Sequence, residues 1–530
     1  MPTGGRQDVR FFEGARNVLI TDSRFDIEAT QPVRFKGWKE VIAPGAFHNS
    51  GERFDPPKCH PRTRKAILEK ILSWVRGEID PEAFIFWLNG SVGVGKSAIG
   101  QTIAEICEEN GLLLASFFFG RSDPTRNNAE FLITTLAYQI GLSVSQARHR
   151  IEQVFAHDPV VHTRSLETQM KKLVIEPLRQ AVADQINTPP LIIVDGLDEC
   201  IDRSMQCKIL DIIYQAGHCF RASGIHLVFL VGSRPEQEIS LKLESFPMRG
   251  VTTHHILGDS NDADDDICHF LEDEFEEIKK THPLKDSIPL SWPSLYDINS
   301  LVWRASGQFL YAHIVIDYTC NIRHHPIDRL QEIISLPAGK TNNLFADLDT
   351  LYTHIFSSLK NVDSALKIIG FKLADPFDKD IDSGLSRILH DVLTLSFDDV
   401  KLILGDLSSV IKVIHKPESS PHIWKMNLQH ASLGEFLTDQ HRSKQHFVDV
   451  QPIIAEWVSW ILQNNLVHGD RMFWGLLGAL EKLESCKSKV LHDALQDVHL
   501  GLLLSKPFVQ SPTLCPALYK VILQIQTMCQ

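Results

Sequence analysis

The residues with the clearest chemistry are Gly90-Ser91-Val92-Gly93-Val94-Gly95-Lys96-Ser97, a complete match to G-x-x-x-x-G-K-[ST]. Glycines let backbone N–H groups approach phosphates closely, and a helix N-terminus adds partial positive charge. In such a cradle, which Ala98 extends into the helix, Lys96 reaches the β- and γ-phosphates and the Ser97 hydroxyl ligates Mg²⁺. A second group of acids follows the apolar run Leu191-Ile192-Ile193-Val194: Asp195, then Asp198 and Glu199 across Gly196-Leu197. A parallel strand delivers such carboxylates to a nucleotide crevice at its C-terminal end. Asp195 is placed to hold Mg²⁺ through water, and Asp198 or Glu199 to orient or deprotonate an attacking water. A third group, Gly232-Ser233-Arg234-Pro235, ends the run Ile225 to Val231. A basic residue there stands beside a γ-phosphate and can sense it; a surface turn closed by proline is the plainer reading.

These groups need a scaffold of strands and helices in alternation. Phe84 to Leu88 reads as a buried strand feeding the glycine-rich loop, and Ile99, Ile103 and Ile106 fall at helical spacing after it. Leu112 to Phe119 predicts a second strand, and Phe131, Leu132, Leu136 and Ile140 a helix. Helical spacing continues between residues 145 and 186. The result is an α/β P-loop NTPase fold with a doubly wound parallel sheet. In front of it, Ile67, Leu68, Ile71, Leu72 and Val75 predict a helix started near Pro61 and Thr63, and Trp38 to Ile42 a short strand or loop.

Beyond the sheet the chain reads as mainly helical. The run Asp259 to Asp266 lacks the turning glycine of a calcium loop and suits a solvated helix N-terminus. Helices are expected over Ile267 to Ile278 and Ile298 to Tyr318, and on a stripe of Phe345, Leu348, Leu351, Tyr352, Ile355 and Leu359. Another stripe is Val400, Ile403, Leu404, Leu407 and Ile411. A strand from Ile423 to Leu428 then leads into a helix at Gln429 to Leu437, an order that suits a winged helix. The reading divides the chain into a lead-in (1–57), the NTPase domain (58–258), a small helical domain (259–340), a winged-helix-like domain (341–445) and a helical C-terminal segment (446–530) carrying Trp457, Trp460, Phe473 and Trp474. No repeat of 20–50 residues is present.

Composition narrows the function classes. A formal charge of −13 argues against a nucleic-acid-binding surface as the main business. The ten cysteines form no C-x-x-C pair and no metal-ligand spacing, so reduced thiols in the cytoplasm are expected. Cys59-His60 has no second pair, and the neighbours in His254-His255 and His324-His325 cannot share a helix face. No apolar run is long enough for a membrane span.

Taken together, Gly90 to Ser97, Asp195 to Cys200 and Ser233-Arg234-Pro235 resemble the three core motifs of NACHT-type STAND NTPases, the switches of NOD-like receptors and of fungal heterokaryon-incompatibility proteins. Arg53 to Arg64, Ala115 to Phe119 and Leu428-Gln429-His430-Ala431-Ser432-Leu433 resemble the fungal branch, and the P-loop region is similar to the nephrocystin-like N-terminal NTPase domain. The resemblance implies a closed state holding ADP, exchange for ATP, release of the winged helix and assembly with further copies or with full-length relatives. It implies that Lys96, Ser97 and Asp195 serve phosphate and Mg²⁺, that Asp198 and Glu199 are the hydrolytic acids, and that Arg234 is the sensor. It further places His430 on the ADP β-phosphate and Thr63 and Arg64 over the adenine. ATP over GTP is the family expectation. Two departures stand out: Gly307-Gln308-Phe309 lacks the proline of a nucleotide-touching Gly-x-Pro, and neither a repeat array nor an effector is recognisable.

Three functions follow. The favoured one is an ATP/ADP switch with slow hydrolysis and self-association. A second is a steadily turning-over AAA⁺-like remodeller, for which Arg121 and Arg126 are arginine-finger candidates. The third is a truncated or regulatory module that retains nucleotide without turnover.

Overall fold

The computed structural model describes residues 37–53, 56–121, 123–183, 189–258, 262–337, 345–375, 382–415 and 424–463. Five strands form one parallel sheet: β1 (Ile85–Gly90), β2 (Leu113–Phe118), β3 (Leu191–Asp195), β4 (Val228–Ser233) and β5 (Thr252–Leu257), in the order β2-β3-β4-β1-β5. β1, β3 and β4 are buried throughout, as expected of parallel strands covered on both faces, and their near-continuous Ile, Val, Leu and Phe content follows from that. Helices on the two faces include α1 (Lys65–Val75), α2 (Lys96–Glu109), α3 (Leu132–Ser143), α4 (Ser145–His157) and α5 (Arg203–Ala222). The α/β P-loop NTPase fold read from the sequence is the fold observed.

The strand order decides what meets at the sheet's C-terminal edge. β1, which feeds the P-loop, and β3, which carries Asp195, are not neighbours; β4 runs between them. Whatever ends β4 therefore stands between the P-loop and the acids, and that residue is Arg234. Trp87 of β1 donates from Nε1 to the Ser233 hydroxyl at 2.9 Å and stacks on His254 of β5 at 4.2 Å, tying three strands together at this edge.

Past the sheet follow α6 (Asp262–Thr281), α7 (Leu295–Ala305), α8 (Phe309–Thr319), α9 (Pro326–Ile334), α10 (Ala346–Ser357), α11 (Val362–Leu373) and α12 (Asp382–Leu393). A two-stranded antiparallel ribbon, β6 (Ile411–His415) and β7 (Trp424–Leu428), precedes α13 (Ala431–Leu437) and α14 (Val450–Gln463). The buried apolar residues gather into two clusters, one from Val41 to Leu257 around the sheet and one from Ile267 to Trp460 among these helices. Leu348, Leu351, Tyr352 and Ile355 lie buried in the second cluster, as their spacing predicts. Trp457 also packs there, with its Nε1 donating to the Phe371 carbonyl at 3.2 Å.

Several expectations need correction. Trp38–Val41 is a short helix, not a strand, because Trp38 packs edge-on against Tyr138 and Phe155 of α3 and α4. β4 begins at Val228 rather than Ile225 and takes in Gly232 and Ser233. β5 was not foreseen; it carries His254 and His255 on alternate faces of a strand. The helix expected over Ile298 to Tyr318 is broken into α7 and α8 by Ser306 and Gly307, both with left-handed backbone (φ +46° and +75°). Ile411 opens β6 instead of extending the helix that carries Val400. Phe473 and Trp474 lie outside the described residues.

Candidate functional site

The P-loop turns from β1 into α2 through Gly93 and Gly95, whose φ values of +80° and +96° suit glycine. Gly93 has a second reason to be glycine. A Cβ there would stand 2.8 Å from the Leu310 Cβ, and Leu310 N–H donates to the Gly93 carbonyl at 3.1 Å. The start of α8 is thus docked on the loop at the place where Gly307-Gln308-Phe309 departs from Gly-x-Pro. Lys96 Nζ donates to the carbonyls of Gly90 and Ser91 at 2.7 and 2.9 Å. Burial pulls its pKa down, against the opposing charges of Asp198 and Asp195.

Asp195 is buried at the end of β3, where the neighbouring Ser97 hydroxyl favours its charged form. Burial raises its pKa, while Ser97, Lys96 and Arg53 oppose the rise. The sheet makes room for this carboxylate by having no side chain at Gly232, where a Cβ would lie 2.1 Å from Asp195 Oδ1. Ser97 and Asp195 supply hard oxygen donors side by side, the donor set that Mg²⁺ takes. Among the described residues no group of three or more His, Cys, Asp or Glu could hold a metal by itself. Mg²⁺ commonly binds through one or two protein oxygens together with nucleotide phosphates.

Asp198 and Glu199 lie on a short 3₁₀ turn, Leu197–Glu199, and serve different partners. Asp198 Oδ1 accepts the Arg234 backbone N–H at 2.9 Å, and Oδ2 lies 3.1 Å from Arg234 Nε. Glu199 Oε2 accepts the Arg121 backbone N–H at 2.9 Å, and burial raises its pKa against that bond.

Arg234 then reaches out of the sheet domain altogether. Its Nη2 donates to Glu435 Oε1 of α13 at 2.7 Å. Burial opposes its charge, but Glu435 and Asp198 hold its pKa above the usual value; Glu435, burdened by its own burial, is held below the usual carboxylate range by Arg234. Arg121 stands 3.6 Å from the same Glu435 oxygen and donates to the Asp198 carbonyl at 3.2 Å. Of the two arginine-finger candidates, Arg121 is therefore engaged within its own chain. Arg126 is too, bonded through Nε to Asp123 at 2.6 Å and through Nη1 to the Phe118 carbonyl at 3.2 Å.

His430 caps α13. Its Nδ1 accepts the Ser432 N–H at 3.0 Å, and the Ser432 hydroxyl in turn meets Tyr352 at 2.8 Å. Because a backbone N–H can only donate, Nδ1 carries no proton and Nε2 is the donor. The ring keeps some accessible surface, but enclosure by protein, with the Arg234 and Lys96 charges near, pushes its pKa down to about 4.

Thr63 and Arg64 sit at the start of α1. Thr63 is buried and donates to the His60 carbonyl at 3.0 Å. Arg64 donates from Nη2 to the Val94 carbonyl at 2.8 Å and from its backbone to Asp266 of α6 at 3.0 Å, and its guanidinium lies over Phe309 of α8 at 4.8 Å. It clamps the P-loop to two helices of the second cluster. Asp266, expected in a solvated run, is thereby half-buried.

Residues 62–234 match the family model described as Nephrocystin 3, N-terminal. This stretch of the chain is similar to that nephrocystin N-terminal domain. It covers the P-loop, Asp195, Asp198, Glu199 and Arg234 and stops before α6. No curated protein matches the chain. Among solved structures, the chain is similar to the Aeropyrum pernix ORC2 protein in its ADPNP-ADP complexes, at 12% identity over 78% of this chain and 97% of that one, with a TM-score of 0.34. It is also similar to Drosophila ORC bound to poly(dA/dT) DNA and Cdc6, at 12% identity over 88% of this chain and 70% of that one, with a TM-score of 0.24.

Sequence reasoning missed Glu435. It sits five residues after His430 in the helix expected over Gln429 to Leu437, and an isolated Glu on a short helix carries no signal of its own.

Proposed function

We propose that the protein is an ATP/ADP-binding switch of the NACHT-like STAND kind, in which nucleotide governs whether the C-terminal helices stay docked on the P-loop domain. The observation that carries the reading is the Arg234 bridge. One guanidinium holds Asp198 of the NTPase domain and Glu435 of α13, 201 residues further on, so the edge that meets the phosphates is the edge that holds the second cluster. A ligand shifts a two-state equilibrium only through differential contacts, and this junction offers them.

In this reading the loop from Gly90 to Ala98 and Lys96 bind the phosphates, Ser97 and Asp195 hold Mg²⁺, and Mg²⁺ neutralises phosphate charge. Glu199 or Asp198 positions the attacking water; Glu199, with one donor to its carboxylate among the described residues, is the freer of the two. His430 offers its Nε2 proton to a phosphate oxygen, while Thr63 and Arg64 border the adenine. The second cluster divides into a small helical domain and a winged-helix-like domain around β6, β7 and α13. Engagement of Arg121 and Arg126 within the chain disfavours the AAA⁺-like remodeller, which needs a finger free to reach a neighbour. Among the described residues no helix is long and apolar enough to cross a membrane.

The test is to identify the nucleotide that co-purifies and to follow mass in solution after exchange into ATP with Mg²⁺. Bound ADP in a monomer that assembles with ATP is the expected result. Bound nucleotide with unchanged mass would replace self-association by action on a partner, and no nucleotide binding at all would end the switch reading.

A further inference from the structure

We propose that Glu435 determines which nucleotide the site prefers: its carboxylate occupies on Arg234 the place of a γ-phosphate, so a triphosphate must displace it and a diphosphate need not. This inference rests on the switch reading above and adds to it a residue that discriminates.

Arg234 is held at its base and free at its tip. Its backbone N–H and its Nε are both taken by Asp198, an acid of the same rigid sheet edge. That fixes the direction of the guanidinium and leaves its Nη2 end for one further anion, which is Glu435 at 2.7 Å. Charge-assisted bonds of this length are the strong ones, and a guanidinium takes carboxylate and phosphate oxygens alike. β4 lies between the P-loop strand and the Asp195 strand, so a third phosphate extending from the Lys96 cradle arrives beside Arg234. Two anions then compete for one guanidinium end. They also repel each other in a half-buried site, where screening is weak.

The competitor belongs to a different body from the rest of the site. Lys96, Asp195, Asp198, Glu199, Arg121 and Arg234 all belong to the sheet domain, whereas Glu435 stands on α13 with His430 at its N-cap. Loss of the Glu435 contact therefore costs the NTPase domain little and the docking of α13 much. Arg121, 3.6 Å from the same oxygen, adds attraction from the sheet side and makes the carboxylate's place there depend on two cations. A diphosphate ending at the Lys96 cradle leaves both pairs intact. The preference for ADP in the docked form is then a property of Glu435 as much as of any residue that touches ADP.

The experiment uses the full chain, stripped of nucleotide, and titrates ADP and the slowly hydrolysed analogue ATPγS with Mg²⁺ by calorimetry. Glu435→Gln keeps the side chain's size and removes its charge. The expected result is a shift of the ADP-to-ATPγS affinity ratio toward the triphosphate by about tenfold, within the usual range of coupling between sites. Glu435→Asp, which restores the charge, should return the ratio most of the way. An unchanged ratio in Glu435→Gln, or equal shifts for both nucleotides, overturns the inference while leaving nucleotide binding in place. Should the wild-type chain bind neither nucleotide, the switch reading fails and this inference with it. A measurement that needs no variant is hydrogen exchange of the amides at 431–437: they should lose protection with ATPγS and keep it with ADP. Equal protection with both would refute the displacement.

Discussion

Gly232→Ala tests the proposed Mg²⁺ position without substituting any residue assigned to it. Position 232 pairs with Leu88 inside the sheet and has ordinary backbone, so alanine meets no conformational barrier there. Its Cβ would, however, stand 2.1 Å from Asp195 Oδ1 and 3.2 Å from Asp195 Cγ. Relaxed contacts of this kind lie on the order of 3.5 Å, so the oxygen must retreat by roughly 1 Å or more. Asp195 is buried and its carboxylate also neighbours Gly100 of α2, so the retreat carries it away from its place beside Ser97. Overpacking of this size costs about 1–3 kcal/mol of stability. Disturbing a residue that orients a metal site typically costs about 10–100-fold in metal affinity. The assay is urea unfolding of the free chain, followed by nucleotide titration with Mg²⁺ and again with EDTA. Gly250→Ala, where a Cβ meets nothing within 4 Å, serves as the silent control. The gain in nucleotide affinity on adding Mg²⁺ should fall by about 10–100-fold in Gly232→Ala, with the EDTA affinity little changed. A folded variant that keeps the full Mg²⁺ gain would refute the reasoning, since Asp195 would then not be what Ser97 and the metal depend on.

Other expectations follow from the same geometry. Lys96→Ala should reduce nucleotide affinity by two orders of magnitude or more, roughly the loss of a buried charge-assisted contact to phosphate; unchanged affinity in calorimetry would remove the P-loop from the function. Glu199→Gln should bind nucleotide normally and slow single-turnover hydrolysis by about 10²–10⁴-fold, and equal rates would shift that role to Asp198. His430→Ala should weaken ADP more than ATPγS; parallel losses would mark the ring as packing only. His430 also predicts a pH effect. Its folded pKa of about 4 lies below the ordinary histidine value, so between about pH 6.5 and 4 the unfolded chain binds more protons. Stability must then fall as pH drops through that window, with a slope of at most about 1.4 kcal/mol per pH unit from this group, and level off below it. His430→Asn keeps a capping residue and should flatten that part of the urea-unfolding profile; an unaltered profile would show that the ring titrates normally.

The parts of the fold that could be read from the sequence are those whose cause is local. β1 and the P-loop are consecutive, and so are β3 and its acids, so one strand pattern and one motif specify each. β5 escaped because its burial is partial and irregular: Thr252 to Ile256 are half-buried or exposed, and only Leu257 is buried. Such a strand has neither the continuous apolar run of β1 nor a clean alternation; the two threonines were the available signal. The break between α7 and α8 escaped for the opposite reason. Apolar spacing continues across it, and the interruption depends on two left-handed residues of which only Gly307 announces itself.

Glu435 marks where reading a sequence stops for a deeper reason. Nothing within its own helix distinguishes it from a solvated glutamate, and its partner is 201 positions earlier. Its meaning comes from the strand order. With β4 placed between β1 and β3, the residue following β4 stands between the P-loop, the acids and anything docked over the edge. Arg234 was legible as a cation at a strand end, but whether it senses phosphate or closes a turn depends on what else bonds to it. The structure adds that Asp198 holds its base and that a carboxylate from the second cluster holds its tip. A simple turn would need neither. A guanidinium anchored by one anion and shared with another across two bodies is poised to change partners, and the arrival of a third anion is the event that would make it do so.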